Sequence, residues 1–328
     1  MDYSKAPKVE LHLHLDCSLS YEVVQLLKPS VTIEEYVQSF IAPTKCPDLA
    51  DYIKRAIKGF ELMQTEEQLR LVTLDVFRQL KSDNVLYAEI RFAPLQHTLQ
   101  GLTPDQVVRI VNEATTEGIK NYGVDAGIIL CTLRHYSEGQ GMETVELVRK
   151  HKGTNVVGFD IAADEAGFPI DNHIKAFQFA KAHNLHCTAH AGEARGPESV
   201  WETLTNLHPS RIGHGVRSAE DAQLLSFLKE NNIHLEICPT SNIQASVFDK
   251  IEDHTANKIY NAGVSMSINT DARTISNVTL ADEYKLLEKI FSWNKEHFRK
   301  CNFEAIDHSF ATTEIKQNVR KRIEAAYA

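Results

Sequence analysis

Four short stretches place histidines and carboxylates just where apolar runs end: His12-Leu13-His14-Leu15-Asp16, His190-Ala191-Gly192-Glu193, Arg211-Ile212-Gly213-His214-Gly215 and Ser267-Ile268-Asn269-Thr270-Asp271. Alternation along a strand puts His12 and His14 on one face. That suits two ligands of one cation, although paired histidines also occur as hydrogen-bonded polar groups without a metal. With His190 and Asp271 added from separate runs, three neutral imidazoles and one carboxylate make a donor set that fits zinc better than oxygen-seeking magnesium or calcium. Such a set leaves a position for water. His214 is then available to orient or deprotonate that water, and Glu193, three residues past a proposed ligand, fits a general acid. The competing reading of Glu193 is a carboxylate serving free N–H groups at a helix start.

These residues can converge only if their runs are neighbouring strands pointing the same way. Eight apolar, β-branched runs recur: Val9 to His14, Val85 to Arg91, Val124 to Leu130, Val156 to Ile161, Leu185 to His190, Arg211 to His214, Ile233 to Ile237 and Val264 to Ile268. Amphipathic stretches separate them, with helix starts at Thr103-Pro104-Asp105-Gln106 and Ser218-Ala219-Glu220-Asp221. This alternation predicts an α/β fold, a (β/α)8 barrel of TIM type, whose active sites assemble at the C-terminal mouth of the strands. The chain of 328 residues reads as one such domain, with residues 17–84 as a helical insertion or lid region after the first strand and extra helices at the C-terminus. In the insertion, Thr32-Ile33-Glu34-Glu35 and Thr65-Glu66-Glu67-Gln68 are capping-box starts. Phe40, Ile41 and Pro43 fit either an apolar lid over the site or packing of the extra helices onto the barrel wall.

Composition narrows the function. With 43% hydrophobic residues the chain can bury a large core, and 44 acidic against 35 basic residues give a formal charge of -9, unfavourable for nucleic acid or an acidic membrane. The opening residues lack a basic, apolar, small-residue leader pattern, no apolar stretch reaches membrane length, and six scattered cysteines form no CxxC pair. A cytoplasmic protein with reduced thiols and a small-molecule partner is expected; oligomeric state is not legible. There is no GxGxxG, Walker, GxSxG or HExxH motif, and Cys238 in Cys238-Pro239-Thr240-Ser241-Asn242 reads as a buried thiol at a strand end, in the wall of the site at most.

Taken in order, the His12–Asp16 stretch, Asp160-Ile161-Ala162-Ala163-Asp164-Glu165, His190–Glu193, Gly213–Gly215, Cys238–Asn242 and Asn269-Thr270-Asp271 closely resemble the adenosine deaminase family, across nearly the whole chain. The resemblance implies one zinc ion held by His12, His14, His190 and Asp271, and a purine nucleoside substrate. It further implies protonation of purine N1 by Glu193, His214 on the zinc-bound hydroxide that attacks C6, Asp16 at the ribose 5′-hydroxyl and the Ala163 N–H at N3. Adenosine and 2′-deoxyadenosine would lose ammonia to give inosine and its deoxy counterpart. Three positions depart from the family pattern: Cys17 and Ala163 replace glycines, and Ala272 replaces a second aspartate that contacts purine N7. Adenine, a methylated adenosine or aminodeoxyfutalosine are therefore alternative substrates. A two-metal hydrolase bridged by a carboxylated lysine is disfavoured, since no lysine lies between Gly153 and Ile174, and a purine-binding protein without activity would not need every proposed ligand, acid and base.

Overall fold

The computed structural model describes residues 2–327. Eight parallel strands follow one another in sequence order: β1 Lys8–His14, β2 Val85–Phe92, β3 Asp125–Leu133, β4 Val156–Ala162, β5 His186–Ala191, β6 Arg211–His214, β7 His234–Ile237 and β8 Met266–Ile268. A parallel bridge between Leu13 and Asp271 brings the chain beyond β8 back to β1. The (β/α)8 barrel is thus the observed architecture. All eight expected runs are strands; Arg211–His214 keeps its expected bounds and the other seven shift at one or both ends. The third continues to Leu133 because Thr132, polar by type, is fully buried and bonds to His173.

Helix starts follow capping chemistry. Thr65 and Gln68 form a reciprocal box before Glu66–Ser82; Thr103 and Gln106 do the same, with Pro104 in the first turn, before Pro104–Tyr122. Thr32 caps Ile33–Phe40 through the N–H of Glu35. The start expected at Ser218 lies elsewhere. Val216–Glu220 is a 3-10 turn in which Ser218 is buried, and Asp221 caps Ala222–Glu230 by accepting from the N–H groups of Gln223 and Leu224. Between β1 and β2 run five helices, Tyr21–Leu27, Ile33–Phe40, Leu49–Ile53, Ala56–Glu61 and Glu66–Ser82, and after β8 come Leu280–Phe291, Lys295–His308 and Thr313–Tyr327. No described helix is long and apolar enough to cross a membrane.

The apolar core lies between the sheet and its helices. On one side Ile90, Ile128 and Phe159 pack with Val76, Phe77 and Val107; on the other Ile212, Leu235 and Met266 pack with Leu228, Leu287 and Phe298. Each such fully buried side chain contributes roughly 1.5–3 kcal/mol. The inside of the ring is different. Arg91 on β2 reaches Asp160 on β4 at 2.8 Å and Glu236 on β7 at 2.7 Å, and Arg211 on β6 reaches the other Glu236 oxygen at 2.7 Å and also pairs with Glu89 on β2. These bonds span the barrel beneath its mouth. Removing one member would strand an unpaired buried charge, at about 3–5 kcal/mol.

Candidate active site

At the mouth, β1 delivers two imidazoles through an irregularity. Its pairing with β2 shifts between Glu10 and Leu13, and the freed N–H groups of Leu11 and His12 both donate to Asn269 Oδ1, at 2.8 and 3.2 Å. His12 then lies against Gly213, where a Cβ would stand 3.0 Å from the ring and push it by a few tenths of an ångström. His214 and Asp271 sit at the ends of β6 and β8 with φ of +61° and +63°. Such backbone costs about 1–2 kcal/mol per residue, and strain of this kind clusters at functional sites.

The strained Asp271 is clamped on both sides. Thr270 donates its N–H and hydroxyl to Glu10, and Arg273 pairs with Glu10 at 2.6 Å and Asp83 at 3.0 Å. Arg273 therefore turns away from the cavity into a buried ion-pair cluster.

Four of these groups, His12, His190, His214 and Asp271, offer atoms within 4.8 Å of one another. His14 joins them, its Nε2 lying 3.2 Å from His190 Nε2 and 3.4 Å from Asp271 Oδ1. The donor chemistry fits a cation. Glu236 stands 2.9 Å from His12 Nδ1, and Asp160 3.2 Å from His190 Nδ1. A carboxylate at Nδ1 fixes the proton there and turns the Nε2 lone pair inward. His12 Nε2 is buried without a hydrogen-bond partner, 3.3 Å from Asp271 Oδ1. Burial and Arg91 oppose charge on His12, yet Asp271 and Glu236, one at each ring nitrogen, raise its pKa overall. The centre is short of positive charge. Burial holds His14 and His214 well below the usual imidazole range, so both rings are neutral.

Glu193 follows β5 in a loop built around another carboxylate. Glu165 accepts the N–H groups of Gly192, Glu193, Ala194 and Arg195 at 2.7–3.0 Å, and the Ser199 hydroxyl. This is the role that the competing reading gave Glu193. Glu193 instead points into the cavity, its Oε2 3.6 Å from His214 Nε2 and its buried Oε1 without a partner. Burial, then the charges of Asp271 and Glu165, raise its pKa well above the ordinary carboxyl range. Its surroundings favour the protonated form.

The cavity above has a volume of about 480 Å3. Asp16 and Ala163 both line it. Burial lifts the pKa of Asp16 to about 6, and Ala163 takes φ +80°, a conformation that favours glycine. The roof comes from the helices Leu49–Ile53 and Ala56–Glu61, through Leu49, Ile53, Ile57 and Phe60. Gly59 rests directly on the Asp16 carbonyl, which a Cβ would overlap at 2.0 Å.

Of the two readings of Phe40, Ile41 and Pro43, wall packing holds for the first two. Phe40 is buried and stacks on Tyr36 at 5.2 Å, Ile41 packs on the same core, Pro43 is exposed, and none of the three lines the cavity. Ala272 does line it, in an apolar patch with Leu49, Tyr52 and Ile275. Cys238 does not; it is buried with Sγ against the Glu236 carbonyl.

Glu236 and Asp160, behind the imidazoles, and Glu165, Asn242 and His254 were given no role from the sequence. The visible signal was a carboxylate in the middle of an otherwise buried strand, as in His234-Leu235-Glu236-Ile237.

The sequence model described as adenosine deaminase matches residues 7–326. An adenosine deaminase of Clostridium acetobutylicum is 35% identical over 97% of this chain and 97% of its own length. The chain belongs to the adenosine deaminase family. As a member of that family it is a hydrolytic deaminase. Among solved structures, adenine deaminase from Arthrobacter aurescens superposes with a TM-score of 0.89 at 26% identity, covering 98% of each chain. The N6-methyl-AMP deaminase of Arabidopsis thaliana, in its apo form, superposes with a TM-score of 0.85 at 25% identity, over 99% of this chain and 98% of that one.

Proposed function

We propose that this deaminase converts adenosine and 2′-deoxyadenosine, with water, to inosine or 2′-deoxyinosine plus ammonia, using one zinc ion held by His12, His14, His190 and Asp271. The observation that carries the reading is the buried carboxyl of Glu193, aimed into the cavity 3.6 Å from His214 and beside the convergent His12, His190 and Asp271. Bound zinc lowers the pKa of water towards neutrality. The protein groups supply the rest. Glu193 delivers its proton to purine N1, next to the carbon under attack, so that the ring accepts the nucleophile. His214, 3.6 Å from Glu193, directs the attacking oxygen. Asp16 takes the ribose 5′-hydroxyl, the Ala163 N–H meets N3, and the roof over residues 49–60 keeps bulk water out. The reading covers residues 1–328 as one catalytic domain with 17–84 as its lid region, and places the enzyme in the cytoplasm, where its six free cysteines stay reduced.

A second reading rests on Ala272. Ala272 lies in a largely apolar wall with Leu49, Tyr52 and Ile275 and brings no carboxylate to the base, which favours another six-aminopurine: adenine, a methylated adenosine or aminodeoxyfutalosine. Parallel assays of ammonia release from adenosine, 2′-deoxyadenosine and these three, on zinc-loaded protein with Glu193→Gln as control, separate the readings. Efficient adenosine turnover that collapses in the variant supports the first. Adenosine turning over far more slowly than one of the others would replace it with the second.

A further inference from the structure

Behind His214 runs a chain of buried hydrogen bonds that ends on a group of fixed polarity. The backbone N–H of Ala256 can only donate, and it donates to His254 Nδ1 at 3.1 Å. His254 is neutral, its pKa pushed down to about 3 by burial, so its single proton is on Nε2. That nitrogen faces Asn242 Oδ1 at 3.2 Å. With its oxygen thus accepting, Asn242 turns its amide nitrogen to His214 Nδ1, 3.1 Å away, and donates there. His254, Asn242 and His214 are all buried, which leaves no solvent to reverse the order.

We infer that Ala256, His254 and Asn242 form a relay of positioning groups that locks His214 as the Nε2–H tautomer, so that His214 presents a donor to the reacting oxygen and serves as neither general base nor cation ligand. The inference rests on the deaminase reading for its catalytic meaning, though not for the tautomer itself. It resolves two ambiguities of the site. His214 is one of the four groups that converge within 4.8 Å, yet a protonated Nε2 has no lone pair for a cation and Nδ1 is already occupied, so His14 takes the fourth position. A preorganised N–H donor aimed at developing negative charge is worth about 10²–10³ in rate, and outer partners that orient such a group about 10- to 100-fold.

The test uses the full-length, zinc-loaded protein with 15N-labelled histidine. Long-range 1H–15N correlation distinguishes a protonated ring nitrogen from one bearing a lone pair, and His214→Gln identifies the His214 signals. The expected result is a protonated Nε2 and an accepting Nδ1. Asn242→Asp puts an obligate acceptor at Nδ1. It should reverse the tautomer and lower kcat about 100-fold with KM changed less than about 3-fold. His254→Leu, which frees the amide to turn, should lower kcat about 10-fold or more, while His254→Gln, which keeps a donor towards Asn242, should restore most of it. An Nδ1–H tautomer in the parent protein would overturn the inference, as would an Asn242→Asp variant with equal or higher kcat. Failure of the substrate assignment alone would show as absent adenosine turnover with the Nε2–H tautomer intact.

Discussion

Glu193 must carry a proton to serve as the acid, and its surroundings favour that form. Because its pKa is raised, the active protonated form persists above the ordinary carboxyl range and disappears as pH climbs through the raised value. The kcat profile should therefore fall on its alkaline side, and Glu193→Gln should lower kcat by about 10²–10⁴ with unchanged zinc content by elemental analysis. Glu165 offers a separate test. Its charge helps raise Glu193 while its oxygens hold four backbone N–H groups. Glu165→Gln keeps one acceptor oxygen and removes the charge, so the alkaline limb should move to lower pH and the melting temperature should drop, by the equivalent of about 1–3 kcal/mol. A variant whose limb stays put would show that Glu165 only holds the loop. The ligand candidates and Glu193 were readable because each closes an apolar run. Glu236 and Asp160 were not, since their work is done on β1 and β5, far off in sequence, and one strand does not announce which partner its carboxylate meets across the barrel.

The same limit governs whole elements. Strands and long helices were legible because periodicity and capping are local: Thr65–Gln68 and Thr103–Gln106 form the boxes their spacing implies. The roof helices were not. Leu49–Ile53 and Ala56–Glu61 are short; Asp48 caps the first, but the second has no side-chain cap and leans on its contact with the Asp16 turn, a tertiary support. Gly59→Ala tests that contact. A methyl 2.0 Å from the Asp16 carbonyl must lift the helix, and the expected outcome is a KM raised about 10-fold with kcat less affected, the pattern of lost ground-state binding. The irregularity in β1 is another element-scale device. Asn269→Ala would orphan two N–H donors at Leu11 and His12, lowering stability by about 1–3 kcal/mol in denaturant titration and zinc affinity by about 10- to 100-fold through the displaced imidazole.

Across the whole molecule, one buried carboxyl couples stability to pH. Glu283, in the helix that follows β8, accepts from the Thr240 N–H while its second oxygen has no partner, and burial raises its pKa from 4.5 to about 8. The folded state then binds the proton more tightly than the unfolded chain, so stability declines as pH rises from about 4.5 to about 8 and levels off beyond. Glu283→Gln keeps the acceptor without the charge. Its melting temperature should match the parent's at low pH and exceed it by roughly 4 °C or more above pH 8; equal melting temperatures at both ends would refute the linkage. The positive φ of Ala163 carries a different kind of consequence, for laboratory evolution. Glycine there would relieve about 1 kcal/mol of backbone strain and in the same stroke remove a methyl group from the cavity wall. A population selected only for heat resistance would thus be drawn towards a roomier binding wall, and broader substrate tolerance would emerge without having been selected.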